Sequence, residues 1–413
     1  MKYNLVHKHL IKYLNLSKKL KSNNYSLLDD AFSNEDILAG IDVLLSKKIT
    51  MGEITYNFEK QFAKYIGSKY ALMTNSGSSA NLLAAFALVN PKKNNFLKHG
   101  DEFIIQSLCW STSLWPLIQA GLKPKFIDVD IDSFNINYEN FKKCVSKKTR
   151  ALMIVHVFGN SPKINLISKF CKEKKIYLIE DTCESLGSKY NSKHLGTFGD
   201  FGTYSFYYSH QITSGEGGMI VCNNKDDYNI INSLRAHGWD RGIRKDKGTS
   251  NNFNFINSGF NLRPTDISAA IGLNQFKRLN VFKKIRSQNK KKIIESLTKS
   301  SLWKNQFTFF KEVKKLEPSW FGFPMLINRK DFRNKTKFLN YLKDKGIETR
   351  PIISGNFLNQ PSVKLYKFKQ KIKNFQNSNY IEKNGFFIGL HTKPIEKKML
   401  DKLAYHLLMI DKF

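Results

Sequence analysis

Residues 151–184 read ALMIVHVFGNSPKINLISKFCKEKKIYLIEDTCE. Ala151-Leu152-Met153-Ile154-Val155 and Ile176-Tyr177-Leu178-Ile179 are apolar runs short enough for buried strands, and Ile164 to Lys174 between them is amphipathic. Strand, helix, strand in that order predicts neighbours in a parallel sheet. The alternation continues outward from about Phe58 to Val221. Ala71-Leu72-Met73, Phe103-Ile104-Ile105 and Lys125-Phe126-Ile127-Asp128-Val129 read as further strands, and Ala80 to Val89 reads as a helix. The expected class is α/β, with a mainly parallel sheet covered by helices on both faces.

A chain of 413 residues can build two cores, and its apolar and aromatic content is that of a globular protein. The first residues mix Lys2, His7, Lys8, His9 and Lys12 with apolar ones, so no export signal is read there. No later stretch approaches a membrane span. The five cysteines, Cys109, Cys144, Cys171, Cys183 and Cys222, form no Cys-x-x-Cys pair, which fits a reducing cytoplasm. The formal charge of +33 raises the possibility of an anionic-polymer binder. The excess is overwhelmingly lysine and spread from Lys2 to Lys412, whereas nucleic-acid readout favours clustered arginine. Neither nucleic acid nor membrane is expected as a partner.

Four pieces along the chain carry possible chemistry. Ser76-Gly77-Ser78-Ser79-Ala80-Asn81 follows a strand and opens a helix, which suits a phosphate or simply caps the helix. Glu180-Asp181-Thr182-Cys183-Glu184 sits at a strand's carboxyl end, the usual ligand crevice of open α/β sheets. An acid there can pair with a protonated pyridine nitrogen or cap the next helix. Trp110, in Cys109-Trp110-Ser111-Thr112, is either a stacking face or a core residue. Last comes Phe206-Tyr207-Tyr208-Ser209-His210-Gln211-Ile212-Thr213-Ser214-Gly215-Glu216-Gly217-Gly218, in which the glycines permit close backbone approach.

In this order the motifs resemble the DegT/DnrJ/EryC1/StrS family of enzymes that use pyridoxal 5′-phosphate (PLP). The resemblance covers Ile49 to the C-terminus. It implies a fold-type I PLP aminotransferase-like architecture, with a mostly parallel seven-stranded sheet and a smaller α+β C-terminal domain. The divisions expected are 1–35 as entry segment, 36–275 as the large cofactor domain and 276–413 as the small domain. A homodimer with shared active sites is implied as well. Carried over residue by residue, the phosphate falls on Gly77, Ser78, Ser79 and Ser205. The pyridine nitrogen falls on Asp181, ring stacking on Trp110, and a contact near the ring hydroxyl on Glu184. Asn261 matches the segment that reaches the partner subunit's cofactor phosphate.

His210 stands where the family's aminotransferases carry the lysine that anchors the cofactor. Imidazole cannot hold the cofactor covalently, but it can move protons. Within the family, His at this position marks the sugar 3-dehydratases. The expected reaction removes the C3 oxygen of a nucleotide-linked 4-keto-6-deoxyhexose, with GDP as the favoured nucleotide. L-Glutamate is the expected amino donor, and PLP and its pyridoxamine form (PMP) are held non-covalently. His210 is expected to act as acid and base near its ordinary pKa of ~6.5. His237 and Arg350 are candidate substrate contacts. A second His-bearing branch, the CDP-hexulose 3-dehydratases, adds an iron–sulfur cluster and a reductase partner. The stretch Asp240-Arg241-Gly242-Ile243-Arg244-Lys245-Asp246 has none of that branch's cysteines, so neither is expected. A nucleotide-sugar aminotransferase remains the main rival reading.

Overall fold

The computed structural model describes residues 7–13, 24–29, 32–240, 253–329, 332–366, 368, 370 and 372–413. The main sheet takes β1 (Tyr70–Thr74), β2 (Glu102–Gln106), β3 (Lys123–Ile127), β4 (Thr149–Val155) and β5 (Tyr177–Asp181). The short β6 (Lys189–Tyr190) and β7 (Lys193–His194) leave it, and β8 (Phe201–Ser205) and β9 (Gly218–Cys222) complete it. Its order is β1-β9-β8-β5-β4-β2-β3. The β2–β3, β2–β4, β4–β5 and β5–β8 pairs are parallel, and β9 runs antiparallel between β1 and β8. Ile104, Ile105, Leu152, Met153, Ile179 and Met219 are fully buried, as strands sandwiched between helices require.

β3 starts two residues before the apolar run suggests. Lys123 and Pro124 pair in register with Glu102 and Phe103, while Val129 turns away to bridge Ile136. Two helices follow the main sheet, Asp266–Phe276 and Leu279–Thr298. The first packs against helices Asn34–Ser46 and Glu53–Ile66. Asp266 ties this corner together by accepting from the N–H groups of Gly52 and Thr55 and from the Thr55 hydroxyl.

The later chain adds β10 (Phe307–Phe309), β11 (Leu316–Glu317), β12 (Gly322–Ile327) and β13 (Gly385–Gly389). β10, β12 and β13 form an antiparallel sheet, and β11 joins the β6–β7 ribbon. Phe323, Met325, Phe338, Phe386 and Ile388 are buried in its core. No helix among the described residues is long and apolar enough to cross a membrane.

At its carboxyl edge the sheet has a tight crossing. Gly218 pairs with Thr74 on one side and Ser205 on the other. A Cβ on Gly218 would lie 2.3 Å from the Ser76 carbonyl oxygen, so the glycine is needed for close approach rather than for its dihedral angles. Gly218→Ala is expected to cost about 1–3 kcal/mol by overpacking, read as a lowered Tm. An unchanged Tm would mean that the backbone yields there without strain.

Candidate active site

The site is built where β1, β5 and β8 end. Helix Gly77–Leu88 begins there, capped by Ser76, whose hydroxyl oxygen accepts from the Ser79 N–H at 3.1 Å. The N–H groups of Gly77 and Ser78 precede the first intrahelical donor and point out of the helix start, the usual anion-binding arrangement. Gly77 is also pressed against its surroundings: a Cβ would lie 2.6 Å from that of Ser205 and 3.0 Å from the Cys183 sulfur. Thus Gly77, Ser205 and the segment after β5 meet at one point. The Ser78 hydroxyl donates to Thr112 Oγ1 at 3.1 Å, which draws in the helix that Trp110 precedes. The Ser79 hydroxyl is already spent on Asn75 Oδ1 at 2.5 Å.

Asp181 is buried and oriented by three donors. Its Oδ2 accepts from Asn81 Nδ2 at 2.8 Å and from the Ser113 hydroxyl at 2.7 Å, and its Oδ1 accepts from the Cys183 N–H at 3.2 Å. Asn81 is itself fixed by the Thr203 hydroxyl at 2.6 Å. Asn81, Ser113 and Thr203 were not singled out by sequence. The signal for Asn81 was a polar residue in an otherwise apolar helix, whereas Ser113 and Thr203 gave none. Trp110 is 56% exposed, so it is not a core residue, and its face is free to meet a ligand.

Glu184 sits beside them in a different environment. Burial pushes its carboxyl up to about 8, against the pull of the Phe158 N–H, and the charge of Asp181 adds to the rise. At neutral pH it is mostly protonated and can donate a hydrogen bond. The Phe158 N–H donates to Glu184 Oε2 at 2.9 Å, and Phe158 itself adopts φ 54°, a left-handed conformation uncommon for a bulky residue. Strain at this position is consistent with a functional constraint.

His210 lies in the loop between β8 and β9. Its ring packs edge-on against Phe321 at 5.2 Å and against Tyr207 at 6.0 Å. The residue is partly buried, while its Nδ1 is sealed from solvent and has no hydrogen-bond partner among the described residues. Burial, then the nearby Arg286 cation, pushes the imidazole down to about 3. The ordinary value expected from sequence is therefore overturned: the low-dielectric slot disfavours the charged ring. At neutral pH this His is a proton acceptor. Gln211, next in the chain, donates to the Glu184 carbonyl and, at 3.2 Å, to that of Ser319, locking the loop to both walls.

The remaining candidates lie on the rim. Asn261 is exposed, and its neighbour Leu262 accepts from the Asn75 N–H at 3.0 Å, which brings the segment beside the helix start. His237 is exposed at φ 62°, one residue from the Ala236–Asn261 bridge. Arg350 is exposed and paired with Glu348 at 3.1 Å, but its segment continues to Ser354, whose hydroxyl donates to the Cys109 carbonyl at 2.6 Å beside Trp110. Residues 241–246, the stretch that lacks the iron–sulfur branch's cysteines, lie outside the described residues. Among the described residues no group of three or more His, Cys, Asp or Glu is arranged to hold a metal.

An anion-ready helix start, an anchored acid at a strand end and an exposed indole together define a site for a phosphorylated pyridine. The chain belongs to the DegT/DnrJ/EryC1/StrS aminotransferase family, whose model matches residues 31–402. Among individual proteins it is 38% identical over 391 residues to GDP-4-keto-6-deoxy-D-mannose 3-dehydratase of Escherichia coli O55:H7, covering 92% of this chain and 98% of that one. A solved E. coli structure of that enzyme with bound hydrated PLP superposes with a TM-score of 0.86 at 38% identity, covering 93% and 99% of the two chains. A further structure of such an enzyme, with a trapped PLP–glutamate geminal diamine, gives a TM-score of 0.84 at 38% identity, covering 93% of this chain and all of that one.

Proposed function

We propose that this chain is a PLP/PMP-dependent 3-dehydratase acting on a nucleotide-linked 4-keto-6-deoxyhexose, foremost GDP-4-keto-6-deoxy-D-mannose. The product is the 4-keto-3,6-dideoxy sugar, and glutamate is the amino donor. The observation that carries the proposal is His210, a side chain that cannot anchor the cofactor, in the position of the family's anchoring lysine beside the helix start at Gly77 and the anchored acid Asp181. The relatives' names and the glutamate adduct in a relative's structure support the substrate and donor.

The bound cofactor supplies an amine and a pyridine ring that accepts electrons. On this proposal the Gly77 and Ser78 N–H groups and the Ser205 hydroxyl hold its phosphate. Asp181, kept in place by Asn81 and Ser113, pairs with the ring nitrogen. Protonated Glu184 donates toward the ring hydroxyl, and Trp110 covers the ring face. Neutral His210 accepts the proton removed beside the ring and delivers it to the departing C3 hydroxyl. A second copy of the chain brings its Asn261 to the phosphate, making the working unit a homodimer.

The test is incubation of the holoenzyme with glutamate and a panel of GDP-, CDP- and dTDP-linked 4-keto-6-deoxyhexoses, read by mass spectrometry. Loss of the C3 oxygen from the GDP-linked sugar is expected. Gain of an amino group would replace the proposal with an aminotransferase.

A further inference from the structure

Arg286 is buried to 1% exposure on helix Leu279–Thr298. Such a charge is expensive to bury and is ordinarily paired with a carboxylate. Among the described residues Arg286 has no ion-pair partner. Its Nη2 donates to the His210 carbonyl at 3.3 Å and its Nη1 to the Trp320 carbonyl at 3.5 Å, while Nε is buried without a partner. Asp29 exerts an opposing field, but its carboxylate already accepts from the Thr392 and Lys393 N–H groups. The two carbonyls belong to opposite walls of one slot, because Trp320 precedes Phe321, the ring that packs on His210.

We infer that Arg286 is a positioning residue for the proposed reaction: one guanidinium clamps both walls of the imidazole slot and fixes a positive charge beside the His210 backbone. The inference rests on the proposed role of His210, but its first readout needs no substrate. Around the imidazole, Tyr207 comes from its own loop, Phe321 from the β12 entry and Arg286 from the helix. Glu184 is linked through Gln211. Lys290, one turn beyond Arg286, lies over the Trp320 ring at 3.4 Å and pairs with Glu312, which offsets its charge behind the same wall. Arg286 is therefore the cation bonded directly to the His210 backbone.

The experiment is NMR titration of histidine-labelled, PLP-loaded holoenzyme, with the His210 signal assigned by its absence in His210→Asn. The wild-type ring is expected to stay neutral to below about pH 5. In Arg286→Gln, which retains a donor and removes the charge, the midpoint is expected to rise while burial keeps it below the ordinary value. The acid limb of the kcat/KM profile should rise with it. Arg286→Lys keeps the charge and should keep a low midpoint, and Arg286→Met, which also removes the charge, stands in if Arg286→Gln does not fold. A wild-type midpoint near the ordinary value, or the same midpoint in Arg286→Gln, would overturn the inference. So would an Arg286→Lys ring that titrates at the ordinary value. If the midpoints behave as stated but no sugar is dehydrated, the proposed reaction fails and the electrostatic role of Arg286 stands.

Discussion

Replacing His210 by Asn is expected to lower kcat/KM for dehydration by about 10²- to 10⁴-fold, the range for loss of a positioned general acid–base group. Asn fills similar space but cannot accept the proton, so cofactor affinity should change little. The outcome should therefore appear in turnover and not in PLP titration. His210→Lys makes a sharper companion. The apolar slot and the Arg286 cation that keep the imidazole neutral would also favour a neutral, nucleophilic amine. Borohydride should then attach the cofactor to residue 210, as mapped by peptide mass spectrometry, and dehydration should be lost. Full dehydration by either variant would remove His210 from the proton-transfer role.

Asp181→Asn should be comparably damaging for a different reason. The carboxylate takes hydrogen bonds from Asn81 and Ser113 on one oxygen and from the Cys183 N–H on the other. An amide offers only one acceptor oxygen and no negative charge to a protonated ring nitrogen. Loss of one charge-assisted hydrogen bond, about 1.5–3 kcal/mol, corresponds to roughly 10- to 150-fold weaker PLP binding. Turnover should fall further, by at least about 10²-fold, since the electron sink itself is weakened. Wild-type affinity and rate in Asp181→Asn would show that the ring nitrogen is held by something else.

The sheet was legible because its strands are apolar runs of the right length separated by amphipathic helices. β3 was misjudged at its ends because pairing with β2, and not hydrophobicity, sets its register. The helix start and the acid at the end of β5 were also legible, since both follow strands in sequence. Asn81, Ser113, Gln211 and Arg286 were not. Their roles depend on which side chains and carbonyls the fold brings together across wide separations, such as the 76 positions that separate Arg286 from His210. The behaviour of His210 was hidden for the same reason. A residue type gives an ordinary pKa, and only the surrounding packing reveals the departure from it.

The loop that carries His210 leaves the sheet at Ser205 and returns at Gly218, and those two residues pair with each other. Both feet of the loop stand on one rung of the sheet, and Gln211 fastens its middle to the walls. Residue 210 is therefore an exchangeable part on a fixed mount. In evolutionary terms, a lineage can trade a side chain that anchors for one that only shuttles protons without rebuilding the pocket around it. Divergence between amine transfer and oxygen removal then needs few substitutions, and both reactions are expected on neighbouring branches of one ancestral scaffold.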